Sequence, residues 1–217
     1  MRTIRVTGKG QLSLAPDLTR ITMTLEGLCP EYSETLRRSS EDTEALRELL
    51  SRFGFARSDL KTLNFSVDAE YESIQERGSY KKRFVGYRFH HSMKVEFDSD
   101  NQRLGRLLYA LANAPVKTEF RITYTVKDPE SAKNELLGRA VKDAAAKAAV
   151  LAEAAGLSLG EIQSIDYSFG ELVFEVQPMN RMLMADRPLS AKESYDLNIE
   201  PDCIQVSDTV TLVWEIC

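Results

Sequence analysis

Arg20-Ile21-Thr22-Met23-Thr24-Leu25 returns later in the chain as Arg121-Ile122-Thr123-Tyr124-Thr125-Val126, and the reading of the fold turns on this repeat. Gly54-Phe55 followed by Leu60-Lys61-Thr62-Leu63-Asn64-Phe65-Ser66 likewise returns as Gly156-Leu157 followed by Ile162-Gln163-Ser164-Ile165-Asp166-Tyr167-Ser168. Two matches in one order at nearly one separation point to an internal duplication. Ile21, Met23 and Leu25 alternate with Arg20, Thr22 and Thr24, as a half-buried strand requires. Phe120, Ile122, Tyr124 and Val126 alternate in the same way.

A helix follows each strand. In the first, Tyr32, Leu36, Thr43, Leu46, Leu50 and Phe53 fall on one stripe. The second opens with Asp128-Pro129-Glu130, a capping residue with proline just inside the helix. Its expected apolar stripe is Leu137, Val141, Ala144, Ala148, Leu151 and Ala155. Gly54 and Gly156 sit where a left-handed C-cap belongs, so helix termination explains them without a ligand loop. Two strands then follow in each half, at about 60–71 and 84–97, and at about 162–176 and 204–216. An irregular segment with Pro178, Pro188 and Pro201 lies between the last two.

The expected fold class is α+β. It comprises two duplicated β-α-β-β halves with largely antiparallel sheets and helices packed on one face. An N-terminal strand precedes the first half and a short helix over about 101–112 links the two. The expected boundaries are 1–99 for the N-terminal strand with the first half, 100–115 for the linking helix, and 116–217 for the second half, all within one domain.

Composition narrows the function. The chain has 217 residues, 43% hydrophobic and 28% charged, enough to bury a core without disulfides or metal. A net charge of -5 argues against nucleic acid as the main partner, because phosphate binding rests on Lys and Arg. Arg77, Lys81, Lys82, Arg83 and Arg88 cluster around an expected hairpin, where they read as a solvated turn whose charges discourage edge pairing. Cys29, Cys203 and Cys217 form no CxxC pair, so neither a zinc site nor a redox pair is indicated. No apolar run is long enough to span a membrane. The start, Met1 to Val6, lacks the apolar stretch of a signal peptide, so the sequence as it stands implies a cytoplasmic protein. The alternative is a periplasmic or exported protein whose leader has been removed.

The segment Val6-Thr7-Gly8-Lys9-Gly10-Gln11-Leu12-Ser13-Leu14-Ala15-Pro16-Asp17 resembles the opening of SIMPL-domain proteins. Glu153-Ala154-Ala155-Gly156-Leu157-Ser158-Leu159-Gly160 and Val206-Ser207-Asp208-Thr209-Val210-Thr211-Leu212 resemble later stretches of that family, in the same order. The family includes bacterial proteins described as oxidative-stress defence or periplasmic immunogenic proteins. The resemblance implies the family's fold, multi-subunit assembly and a bacterial setting. Read physically, Gly8 and Gly10 mark a bulge or a close backbone approach. A phosphate-binding loop needs a longer glycine spacing followed by Lys-Ser or Lys-Thr. Pro16 presets a turn whose backbone Asp17 can cap.

Groups able to do chemistry are few. His90 and His91 are adjacent, so on a strand they face opposite ways and cannot share one metal. His91 falls with Phe89, Met93, Val95 and Phe97, and the duplication sets Asp208 at the corresponding place. A His91–Asp208 pair would suit a hydrolase; separate hydrogen bonding of each group is the simpler reading. Met179, Met182 and Met184 form the remaining candidate, because thioethers are soft Cu(I) ligands and are readily oxidised. An adaptable apolar loop packing on another subunit is the competing reading.

Three functions fit these residues. The first is a non-enzymatic, self-assembling binding protein linked to stress tolerance, with no cofactor, and with further copies of itself (a homo-oligomer) or another protein as partner. The second is a soft-metal-binding or oxidant-scavenging protein using the methionines. The third is an unrecognised hydrolase.

Overall fold

The computed structural model describes residues 2–76, 79–168, 170, 172–177 and 200–217. In chain order the elements are β1 (Thr3–Leu14), β2 (Leu18–Cys29), α1 (Tyr32–Ser51), β3 (Lys61–Glu76), β4 (Ser79–Asp98), α2 (Asn101–Ala112), β5 (Thr118–Thr125), α3 (Pro129–Ala154), β6 (Leu159–Asp166), β7 (Glu175–Val176) and β8 (Ile204–Ile216). The fold is α+β, with antiparallel sheets. The described residues form two compact units. One draws on 2–17, 125–176 and 201–217, the other chiefly on 18–124.

In the first unit the strands run β1-β8-β6. β1 and β8 pair without interruption from Thr3 opposite Glu215 to Leu14 opposite Ile204. α3 lies on this sheet and buries Ala140, Ala144 and Ala148 against Val6, Leu212 and Trp214. Further along, Leu136 and Ala132 meet Leu12, Phe174 and Val206. The stretch expected as one strand over 162–176 is not continuous: β6 ends at Asp166 and only Glu175–Val176 resumes as β7.

In the second unit the strands run β3-β4-β2-β5, with β4 antiparallel to both β3 and β2. Ile21, Met23 and Leu25 of β2 and Phe89, Met93 and Val95 of β4 are buried, all to within 1%. α1 packs against β2 and β4. α2 caps its first turn with Asp100, whose carboxylate accepts from the amides of Gln102 and Arg103. Arg103 then donates to the Phe53 carbonyl at 2.9 Å and stacks its guanidinium over Phe55.

Both long helices end in one motif. Phe55 N–H donates back to Leu50 and Gly54 N–H to Ser51, with Gly54 at φ 81°. Leu157 N–H donates to Ala152 and Gly156 N–H to Glu153, with Gly156 at φ 68°. This is the paired i−5 and i−3 closure that glycine permits.

The two repeated strands lie differently in space. Ile21 is in β2 and Ile122 in β5, and those strands are neighbours in one sheet. In the unit that α3 covers, the place beside the central strand is taken instead by β1. The helix faces also differ from their expected stripes. α1 buries Thr35, Ser39, Thr43, Leu46 and Leu50, leaving Tyr32 and Leu36 outside. α3 buries Ala132, Leu136, Ala140, Ala144, Ala148 and Ala152, while Leu151 is exposed. Under α3, where the helix backbone approaches β1 at Gly8 and Gly10, only small side chains fit between the two, so residue size rather than hydrophobicity selects its inner face.

Candidate functional site

The first unit is organised around the glycines of β1. A Cβ on Gly8 would overlap the Ala140 carbonyl and Ala144 amide, and would lie 2.7 Å from the Ala144 Cβ. A Cβ on Gly10 would overlap the Leu136 carbonyl. α3 therefore rests directly on the strand backbone. From this position its side chains reach the strand's outer edge: the Asp143 carboxylate accepts from Lys9 N–H at 2.7 Å, and Arg139 donates to the Gln11 carbonyl at 3.0 Å. The Lys147 ammonium and the Lys9 amide hold the Asp143 carboxyl below its usual range. At the end of β1, Asp17 N–H donates to the Thr125 carbonyl, and its carboxylate accepts from Lys127 N–H at 2.8 Å. Asp17 thus ties the β1–β2 turn to the chain entering α3.

The second unit holds both histidines, on opposite faces of β4. His90 Nδ1 lies 2.9 Å from Glu26 on β2. His91 is held by two hydroxyls, Thr43 of α1 at 3.1 Å from Nδ1 and Thr62 of β3 at 3.0 Å from Nε2. Thr43 donates its single proton to the Ser39 carbonyl at 2.7 Å. Its oxygen must therefore accept from His91, which assigns the ring proton to Nδ1 and leaves Nε2 to accept from Thr62. Burial, with the Arg47 guanidinium nearby, pushes the His91 pKa below its usual value and favours this neutral form. The expected His91–Asp208 dyad requires that carboxylate on the ring, whereas the hydrogen bonds of His91 go to the Thr43 and Thr62 hydroxyls. Asp208 is occupied separately: its carboxylate accepts from the Tyr167 hydroxyl at 3.0 Å and from the Thr209 amide at 2.7 Å.

Further along the same face of β3 and β4 runs a row of edge-to-face rings. Tyr71 and Phe84 have centroids 5.6 Å apart, Phe84 and Tyr87 5.2 Å, and Tyr87 and Tyr32 5.4 Å. The row joins β3, β4 and the first turn of α1, yet Tyr71 is 56% exposed, Phe84 45% and Tyr32 50%. On the opposite face, cross-strand ion pairs form a ladder that includes Arg20–Glu96, His90–Glu26, Arg88–Glu70 and Arg83–Glu72. Burial pulls the Glu96 pKa upward, but hydrogen bonds from Lys94 and Arg20 outweigh it and hold the carboxyl below its usual range.

Of the residues singled out from sequence, the structure brings Gly8 and Gly10 under α3 and places Gly54 and Gly156 at the helix ends. Met179, Met182 and Met184 lie outside the described residues. Cys29 is buried, and Cys203 and Cys217 are exposed free thiols. Among the described residues, no group of three or more His, Cys, Asp or Glu is placed to hold a metal ion. No helix among them is long and apolar enough to cross a membrane. Sequence reasoning missed the aromatic row and the two threonines on His91. The aromatics Tyr71, Phe84 and Tyr87, standing on the two expected strands of one hairpin, were the available signal for the row; a threonine far away in sequence gives none for the histidine.

Comparison with known proteins adds a family. The SIMPL family, described as a protein of unknown function (DUF541), matches residues 4–214. A 26 kDa periplasmic immunogenic protein of Brucella melitensis is 24% identical over 75% of this chain. The matched part spans 65% of that relative's own length. The uncharacterized protein YggE of Escherichia coli is 23% identical over 98% of this chain and 82% of its own. YggE of Edwardsiella ictaluri is 23% identical over 96% of this chain and 84% of its own.

Proposed function

The chain belongs to the SIMPL family, and from that membership we propose that it is a non-enzymatic binding protein that self-associates through the aromatic row of β3, β4 and α1. The observation that carries this reading is the row itself: Tyr71, Phe84 and Tyr32 are about half exposed while stacked edge to face. A contiguous, pre-ordered aromatic surface loses little side-chain entropy on being covered, which suits a protein interface. Against the hydrolase reading stands the separation of its two groups: His91 is engaged by Thr43 and Thr62, and Asp208 by Tyr167.

Light scattering on the purified protein at micromolar concentration tests the reading. A multiple of 24.5 kDa is expected, and a particle of that single mass would overturn it. Replacing Tyr71 and Phe84 together by serine should disperse the assembly without changing the circular dichroism. An unchanged mass in that variant would mean a different surface. The part in stress tolerance rests on the resemblance to oxidative-stress defence proteins, and unaltered peroxide survival of a deletion strain would remove it. The periplasmic description of the Brucella relative favours the exported alternative for location, which fractionation of native cells would decide.

A further inference from the structure

β1 is an edge strand, and α3 protects only half of that edge. The amide of Lys9 and the carbonyl of Gln11 point off the sheet, because both are taken by α3 side chains. The Arg2 carbonyl, by contrast, accepts from Ile216 N–H at 3.0 Å, toward β8. In an antiparallel pair these directions alternate residue by residue. The amides and carbonyls of Thr3, Arg5 and Thr7 therefore also point outward, and no partner for them exists among the described residues. Alongside this open segment α3 continues with Ala146, Lys147, Val150 and Leu151, which with Val6 line a shallow, almost wholly apolar groove. Val150 is 65% and Leu151 52% exposed, so the helix offers an unfilled apolar wall next to an unpaired strand.

Charge selects the occupant. The chain carries a net charge of -5, yet β1 contains Arg5 and Lys9 and no acidic residue. Both cations stand on the strand face turned away from α3. Arg5 meets Asp166 only at 3.6 Å, with both side chains largely exposed. A second copy laid antiparallel on the same segment would set Arg5 directly opposite Arg5, which is repulsive.

We infer that Thr3–Thr7 accepts an extended segment of a partner protein as an added β-strand, one whose apolar and acidic residues alternate. Its backbone would pair with Arg5 and Thr7. Its apolar side chains would enter the groove beside Val150, and its carboxylates would face Arg5 and Lys9. Main-chain pairing with alternate side chains read by a pocket is a recurrent recognition mode. This surface is separate from the aromatic row, so it stands or falls independently of self-association there.

The test uses the full chain and a fluorescent peptide alternating valine and glutamate, with a valine–lysine peptide as control. Saturable binding of the glutamate peptide is expected, with slowed hydrogen exchange at the Arg5 and Thr7 amides. Val150→Glu, at an exposed position, should weaken binding by about tenfold or more through loss of apolar burial and repulsion of the carboxylates. Arg5→Glu should shift preference toward the lysine peptide. Equal binding of the two peptides by the native chain, unchanged affinity in Val150→Glu, or absence of exchange protection at Arg5 and Thr7 would each overturn the inference. Protection that appears without peptide and grows with protein concentration would also overturn it, in favour of a second copy on this edge.

Discussion

The two units share an arrangement and differ in how the helix meets the sheet. Each has a central strand, β8 or β4, flanked on one side by the strand that follows the helix, β6 or β3, and on the other by β1 or β2. Each is covered by a helix that ends in the same glycine motif. Under α3, however, β1 presents Val6, Gly8, Gly10 and Leu12, and the helix answers with alanines. Under α1, β2 presents Ile21, Met23 and Leu25, and the buried helix face begins with Thr35, Ser39 and Thr43. One arrangement is thus filled in two ways. Glycine and alanine allow near-contact of backbones, whereas large strand side chains hold the helix off. The hydroxyls of α1 then need partners, which the carbonyls of Glu31 and Ser39 and the ring of His91 supply. Close packing frees the edge side chains of α3 to reach β1, and so creates the half-covered edge.

The largest expected effect is at the close approach. Gly8→Val should destabilise the first unit by about 3 kcal/mol, near the upper end for overpacking, because the obstacle is helix backbone rather than a movable side chain. Met23→Leu in the second unit, a near-isosteric change, should cost under about 1.5 kcal/mol. The single tryptophan, Trp214, is buried in the first unit, so its fluorescence during denaturant unfolding reports the first change directly. Equal, small shifts for both variants would erase the distinction between the two packings.

Next in size is Thr43→Val. It preserves shape but leaves the Nδ1–H of His91 without its acceptor, costing roughly 1–3 kcal/mol. Denaturation followed by circular dichroism checks this, and an unchanged midpoint would mean that Thr43 does not fix the ring. Gly54→Ala and Gly156→Ala should each cost about 1–2 kcal/mol, the penalty of a left-handed conformation. The nearest atom to an added Cβ is at 4.0 Å for Gly54, and none lies within 4 Å at Gly156. The two ends should therefore respond alike; clearly unequal losses would show that they are not equivalent.

The smallest effect is a pH dependence confined to the second unit. His91 has its folded pKa lowered from 6.5 by burial, so over part of the acid range the unfolded chain binds a proton that the folded chain does not. Stability should fall as pH drops through 6.5 and level off below the depressed value, the contribution being intact above 6.5. Comparing unfolding midpoints of native protein and His91→Gln across that range isolates it. A profile unchanged by the substitution would show that His91 carries no such linkage.

What could be read from the sequence was local. Alternation in 20–25 and 121–126, the Asp128-Pro129 start, the linking helix at 101–112 and the glycines at 54 and 156 each depend on neighbouring residues, and a single strand or turn already expresses them. The same holds for the separation of His90 from His91, which follows from the two-residue period of a strand. Tertiary structure alone decided that β1 pairs with β8 at the far end of the chain and that β5 lies beside β2. Alternation states that a strand has a buried face but not which strand lies next to it. Tertiary structure likewise decided that the inner face of α3 is its alanines. A hydrophobic stripe assumes a helix at ordinary distance, and that distance was set by Gly8 and Gly10, which stand in another element. His91 found Thr43 and Thr62, and Tyr71 found Phe84, for the same reason: these contacts exist only once separate elements are brought together.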